Sequence, residues 1–146
     1  MLLRIWIGID VCQKYLDVYV RSSSQSFQVI NDEVGIGKII LALSMSLVSA
    51  ENGVLLVDEI ETGLHYEAQT DMWRLILETA KELNVQLFAT THSWDCIAAY
   101  QEALSQVEDK SIGKLFRLDS KYGKLRAVEY DADDLEIAYR EGIEVR

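Results

Sequence analysis

Proline is absent from the 146 residues, and only eight are glycine. Chain reversals therefore fall to glycine together with Asn and Asp. The only cysteines, Cys12 and Cys96, lie far apart, and the only histidines are His65 and His92. That sparsity excludes a zinc-type ligand spacing and a disulfide framework, and fits two reduced thiols in a cytoplasmic protein. No uncharged run is longer than 12 residues (39–50 and 83–94), and both runs contain polar side chains. A membrane-crossing helix needs roughly 20 mostly apolar residues, so no membrane partner is expected. The opening MLLRIWIGID carries Asp10 and no small-residue cleavage site, so it does not read as a signal peptide. Positive charge is scarce as well: 14 Lys and Arg face 24 Asp and Glu, for a net charge of −10. Nucleic acid is not supported as a partner, because neutralising its phosphates demands clustered Lys and Arg.

What is present suits one globular domain with its own core: 49% hydrophobic and 26% charged residues. Residues 5–10 and 15–21 are rich in β-branched and aromatic side chains and read as two strands of a hairpin, with a third at 27–30. Near residues 31 to 36 the period changes. Ile36, Ile39, Ile40, Leu43 and Leu47 share one helical face. Glu51-Asn52-Gly53 should end that helix, with Gly53 supplying a left-handed residue. Residues 54–57 form a continuous apolar run, as expected of a strand covered on both faces. Residues 66–83 predict a helix with Met72, Leu75, Ile76, Thr79 and Leu83 on one side. Residues 85–90 predict a second buried strand, and Ser93 caps a helix running to about Glu108. Strands at 114–119 and 125–130 flank a Lys121-Tyr122-Gly123 turn, and Asp131 caps a last helix at 132–139. The alternation from residue 36 onward implies an α/β fold, a parallel sheet with flanking helices.

In such a sheet the active site lies beyond the carboxyl ends of the strands. Asp58-Glu59 and Thr91-His92 both fall there. One helix separates their strands, so the two ends can be neighbours. Transfer of a phosphoryl group to water needs a carboxylate for Mg²⁺, a group that orients or deprotonates the water, and a polar contact to the terminal phosphate. Asp58, Glu59 and His92 can fill these roles in that order. Residues 129–146 hold seven acids and two arginines, which read as a solvated helix face.

GVLLVDEIETGLHY (53–66) followed by NVQLFATTHSWD (84–95) resembles the ABC-type branch of AAA ATPases, relatives of the RecF, SMC and overcoming-lysogenisation-defect proteins. The resemblance implies a partial P-loop NTPase fold over residues 35–146 that uses ATP and Mg²⁺. It implies Asp58 as the Walker B metal ligand, Glu59 as the residue activating water, residues 61–65 as the D-loop, and His92 as the switch histidine. Gly35-Ile36-Gly37-Lys38 resembles the signature motif, which in the family contacts nucleotide bound by the opposite subunit. A helix N-terminus suits that contact, because free N–H groups and the helix dipole attract phosphate. The partners implied are a second copy, in a homodimer, or a P-loop-bearing relative acting in trans. The ending GIEVR resembles the end of stand-alone members, so no nuclease domain is expected beyond it.

The phosphate-cradling loop itself is missing. A P-loop reads G-x-x-x-x-G-K-[ST]. Aligned on Gly37-Lys38, its first glycine would be Asp32 and its hydroxyl residue would be Ile39. Residues 1–34 instead resemble the start of DEDD-type transposases, through WIGIDVCQKYLDVYV and QVINDEVGI, with Asp10 matching the first catalytic carboxylate of an RNase H-like fold. The chain thus reads as a chimera of a transposase-like β segment, 1–34, and the back half of an ATPase, 35–146, inactive alone. The alternatives are a truncated transposase-like protein and a non-catalytic interaction scaffold.

Overall fold

The computed structural model describes residues 7–11, 15–20, 25–30, 33–121 and 123–145, with side chains described at 37, 39–120 and 123–145. Cys12, the turns expected at 12–14 and 22–24, and Tyr122 of the last turn lie outside these residues. Three antiparallel strands come first: β1 (Ile7–Val11), β2 (Tyr15–Val20) and β3 (Gln25–Ile30), in the order β1-β2-β3. Their register sets Asp10 opposite Asp17.

Helix α1 (Glu33–Ser49) begins three residues ahead of the expected Ile36, so Gly35 and Gly37 fall within its first two turns. Ile39, Leu43 and Leu47 are buried, as the apolar spacing requires. Ser44 and Ser46 sit mid-helix because each hydroxyl donates to the carbonyl four residues back, Ile40 O at 2.8 Å and Ala42 O at 2.7 Å. The helix stop differs from expectation. Asn52 takes the left-handed conformation (φ 56°), while Gly53 does not. Gly53 is needed for a different reason: a Cβ there would lie 2.9 Å from the Ala50 carbonyl oxygen. Asn84 repeats the device (φ 52°) ahead of the next strand, and its side-chain amide donates to Asn52 Oδ1 at 3.1 Å. The two strand entrances are thereby tied together.

Strands β4 (Val54–Val57) and β5 (Gln86–Ala89) pair in parallel, Val54 opposite Gln86 and Val57 opposite Ala89. Between them runs α2 (Tyr66–Glu82), which buries Met72, Trp73, Ile76 and Leu77. Helix α3 (Trp94–Gln106) is capped by Ser93, whose hydroxyl accepts from the Cys96 N–H at 3.3 Å. A 3-10 turn (Lys110–Ile112) leads to the antiparallel hairpin of β6 (Leu115–Lys121) and β7 (Lys124–Tyr130). Helix α4 (Ala132–Arg140) is capped by Asp131, which accepts from the N–H groups of Asp133 and Asp134 at 3.1 and 2.9 Å. Its acids face solvent while Leu135 and Ala138 are buried.

The core joins α1, α2, α3 and α4 to one face of β4. Leu47, Met72, Leu104 and Leu135 are its most completely buried large side chains, and each such burial is worth about 1.5–3 kcal/mol relative to exposure. Coverage on both sheet faces, expected from the apolar runs, is not found. Leu55 and Val57 point into the core, but Val54 and Leu56 are each 47% exposed, and on β5 Phe88 is 53% exposed. The described helices cover one face only, so the alternating exposure is that of a one-sided sheet. β1 packs against β4, whereas the outer edge of β5 pairs with no strand among the described residues. No helix among the described residues is long and apolar enough to cross a membrane.

Candidate functional site

The parallel ladder continues past the ends of β4 and β5. Thr90 N–H donates to Val57 O at 3.0 Å, and Ile60 N–H returns to Thr90 O at 3.1 Å. This places Asp58 and Glu59 directly beside Thr90, although 32 residues separate Asp58 from Thr90 in sequence. The Thr90 hydroxyl joins the two acids: it donates to Asp58 Oδ1 and accepts the Glu59 N–H at 2.9 Å. Glu59 adopts φ 45°, a left-handed conformation that costs a non-glycine residue about 1–3 kcal/mol and persists only where surrounding bonds fix it. Two further bonds do so. Thr62 N–H donates to Glu59 O at 2.9 Å, and the Thr62 hydroxyl reaches Glu59 Oε2 at 3.4 Å. Gly63 (φ 82°) completes the turn.

A second tie runs between the two loops. Glu61 Oε1 accepts the His92 N–H at 3.2 Å. Glu61 Oε2 is buried with no hydrogen-bond partner among the described residues, a costly arrangement for a carboxylate oxygen. His92 is exposed, and the next residues are fixed by Ser93 N–H donating to Thr91 Oγ1 at 3.0 Å and by the Ser93 cap. Below the loop, Trp73 Nε1–H points at Cys96 Sγ, 3.4 Å away. Burial pushes the Cys96 thiol up to about 11, the Trp73 bond opposing it, so this cysteine is an inert packing residue rather than a nucleophile. His65 precedes α2 and stacks on Tyr66 with ring centroids 4.4 Å apart.

Of the residues singled out from sequence, Asp58, Glu59 and His92 thus converge on adjoining loops at the strand ends. Gly35 and Gly37 stand apart within α1, and no described hydrogen bond joins that helix to the loops. A Cβ on Gly37 would meet nothing within 4 Å, so packing inside this chain does not demand glycine there. Two roles were not foreseen: Thr90, which clamps both acids, and Glu61, which entered only within the D-loop span 61–65 and holds the histidine segment. Their signal was weak, because threonine at a strand end and glutamate in an acidic loop are ordinary until the strand register is known.

Chemically, the cluster offers exposed carboxylate oxygens from Asp58 and Glu59. No group of three or more His, Cys, Asp or Glu able to enclose a metal occurs among the described residues. This donor set fits Mg²⁺, which typically takes one or two protein carboxylates and completes its shell with water and phosphate oxygens. It does not fit a closed structural metal site.

No curated protein matches the chain. A solved structure described under the structural biochemistry of ATP-driven dimerization and DNA-stimulated activation of SMC ATPases is similar at 15% identity, with a TM-score of 0.49 over 90% of this chain and 74% of that one. Residues 32–97 match the family model of the AAA ATPase domain. That span holds Asp58, Glu59, Thr90 and His92, and across it the chain is AAA ATPase-like.

Proposed function

We propose that the chain supplies the metal- and water-handling side of an ABC-type ATP-hydrolysing site, and that the phosphate-cradling loop comes from another chain. On this reading residues 35–146 are the ATPase-derived part and residues 1–34 a separate β segment. The single observation that carries the reading is the Thr90 clamp, which holds Asp58 and the strained Glu59 side by side at the strand ends. Magnesium bound through Asp58 would supply charge neutralisation for the transferring phosphoryl group. Glu59 orients the attacking water and accepts its proton. His92, held by Glu61 through its backbone, contacts the terminal phosphate. Gly35 and Gly37 of α1 allow close approach to nucleotide carried by a P-loop-bearing relative acting in trans.

The chain carries no G-x-x-x-x-G-K-[ST] motif, and backbone N–H groups of that loop make most phosphate contacts in such enzymes. Isothermal titration of the isolated chain with Mg-ATP should therefore show no micromolar binding. Mixed with a P-loop-bearing relative whose own catalytic glutamate is replaced by glutamine, the chain should restore phosphate release, and Glu59→Gln should abolish that gain. Equal rates with the wild-type chain and with Glu59→Gln would overturn the assignment. A non-catalytic scaffold predicts that outcome.

A further inference from the structure

Away from the strand ends, helices α2, α3 and α4 border an open surface hollow of about 170 Å³. Tyr66 and Thr70 lie one turn apart on α2, Asp95 and Glu102 lie seven residues apart on α3, and Tyr139 borders the hollow from α4. The floor between the two acids is alanine, which leaves the hollow open. Both tyrosines present exposed rings, 59% and 53% accessible. Glu102 is oriented by the Thr70 hydroxyl, which donates to its Oε2 at 3.1 Å. No hydrogen bond or ion pair within the described residues engages the Asp95 carboxylate, and no lining residue is basic.

Size and charge narrow the occupant. Sites for whole small molecules run roughly 300–1,000 Å³, so this cavity suits one side chain. Two carboxylates exclude an anion such as phosphate. The two tyrosine rings that line the hollow favour a cation with a flat, weakly hydrated surface. Guanidinium has both properties: it stacks on aromatic rings and forks onto carboxylate oxygens, whereas ammonium is a strongly hydrated point charge. We propose that this cavity is a docking pocket for an arginine side chain presented by a basic segment of a partner protein. The chain's net charge of −10 favours the encounter.

The test is an NMR titration of the ¹⁵N-labelled full chain with a short Gly/Ser peptide carrying one arginine. Matched peptides carry citrulline, which keeps the shape and loses the charge, or lysine. Amide shifts should cluster at 66–70, 95–102 and 139. The citrulline and lysine peptides should each bind at least about tenfold more weakly, as expected when fork and stacking are lost. The Asp95→Asn, Glu102→Gln double variant should weaken arginine binding similarly while leaving the amide shifts of Glu59 and His92 in place. Equal binding of the citrulline or lysine peptide would overturn the proposal. So would shifts centred on the exposed acids at 131–136.

Discussion

Replacing Thr90 by valine tests whether one hydroxyl organises the strand-end site. Valine keeps the β-branched shape and strand preference but removes the hydroxyl. The change deletes the bond to Asp58 Oδ1 and strands the Glu59 N–H, now bonded at 2.9 Å. A net hydrogen bond is worth about 0.5–1.5 kcal/mol, and more when one partner is charged. All three residues are exposed, so water replaces much of what is lost, and the expected cost is about 1 kcal/mol. Given a urea m-value of about 1–3 kcal/mol per molar for a small protein, the unfolding midpoint should fall by roughly 0.3–1 M. A local readout separates this mechanism from general destabilisation. Glu59 holds φ 45° partly through that bond, so its amide should exchange faster with solvent in Thr90→Val, while the core amides of α2 follow only the global change. Thr90→Ser should restore both. An unchanged midpoint together with unchanged Glu59 exchange would refute the clamp.

Three other outcomes follow from equally local geometry. Gly113→Ala should destabilise by about 1–3 kcal/mol, because its Cβ would clash with the Tyr100 hydroxyl and lie 3.1 Å from Leu104 Cδ1, with the Tyr100 ring held edge-on to Trp73 at 4.9 Å. Adding Tyr100→Phe should recover part of that loss in urea melts. Gly37→Ala should stabilise the free chain by about 0.5–1 kcal/mol, since the position is helical with open space around it. The same change should weaken rescue of the P-loop-bearing relative if α1 approaches nucleotide there. Finally, stability should fall as pH rises above 9. Burial raises the Cys96 thiol from 9.0 to about 11 and the Tyr100 phenol from 10.0 to about 12. The unfolded chain therefore loses these protons first, so stability present below pH 9 declines through 11 and beyond, by about 1 kcal/mol per pH unit for each group. Cys96→Ala should remove the earlier part of that slope, and native Cys96 should resist alkylation at pH 8 when mapped by mass spectrometry.

Local signals in the sequence carried far. The helix period located Ile39, Leu43 and Leu47, and the caps at Ser93 and Asp131 were readable because each bonds N–H groups two or three residues onward. The parallel pairing of β4 and β5 followed from a single intervening helix. Long-range packing decided what was not readable. Periodicity cannot reveal that a continuous apolar run such as 54–57 is covered on one face, since Val54 and Leu56 have the composition of core residues and the exposure of surface ones. Nor can it assign the left-handed residue between Asn52 and Gly53, because either type tolerates that geometry and the contact of Asn52 with Asn84 decides it. Thr90 acquires a role only through its register with Asp58.

On the proposed function, the half-covered sheet and the need for a partner are two aspects of one arrangement. Val54, Leu56 and Phe88 are half-exposed on one sheet face, and β5 has an unpaired outer edge among the described residues. That edge belongs to the strand that delivers Thr90 and His92. An unpaired edge readily accepts another strand. A strand pairing there would stop beside Thr90, at the place where the proposed function requires groups that contact phosphate. Covering the edge and completing the site would then be the same event, with the strain at Glu59 and the Thr90 clamp already in place before it. On the proposed reading this is why hydrolysis depends on a partner: Asp58 and Glu59 are fixed by bonds within this chain, while the groups that would hold nucleotide against them are proposed to come from outside it.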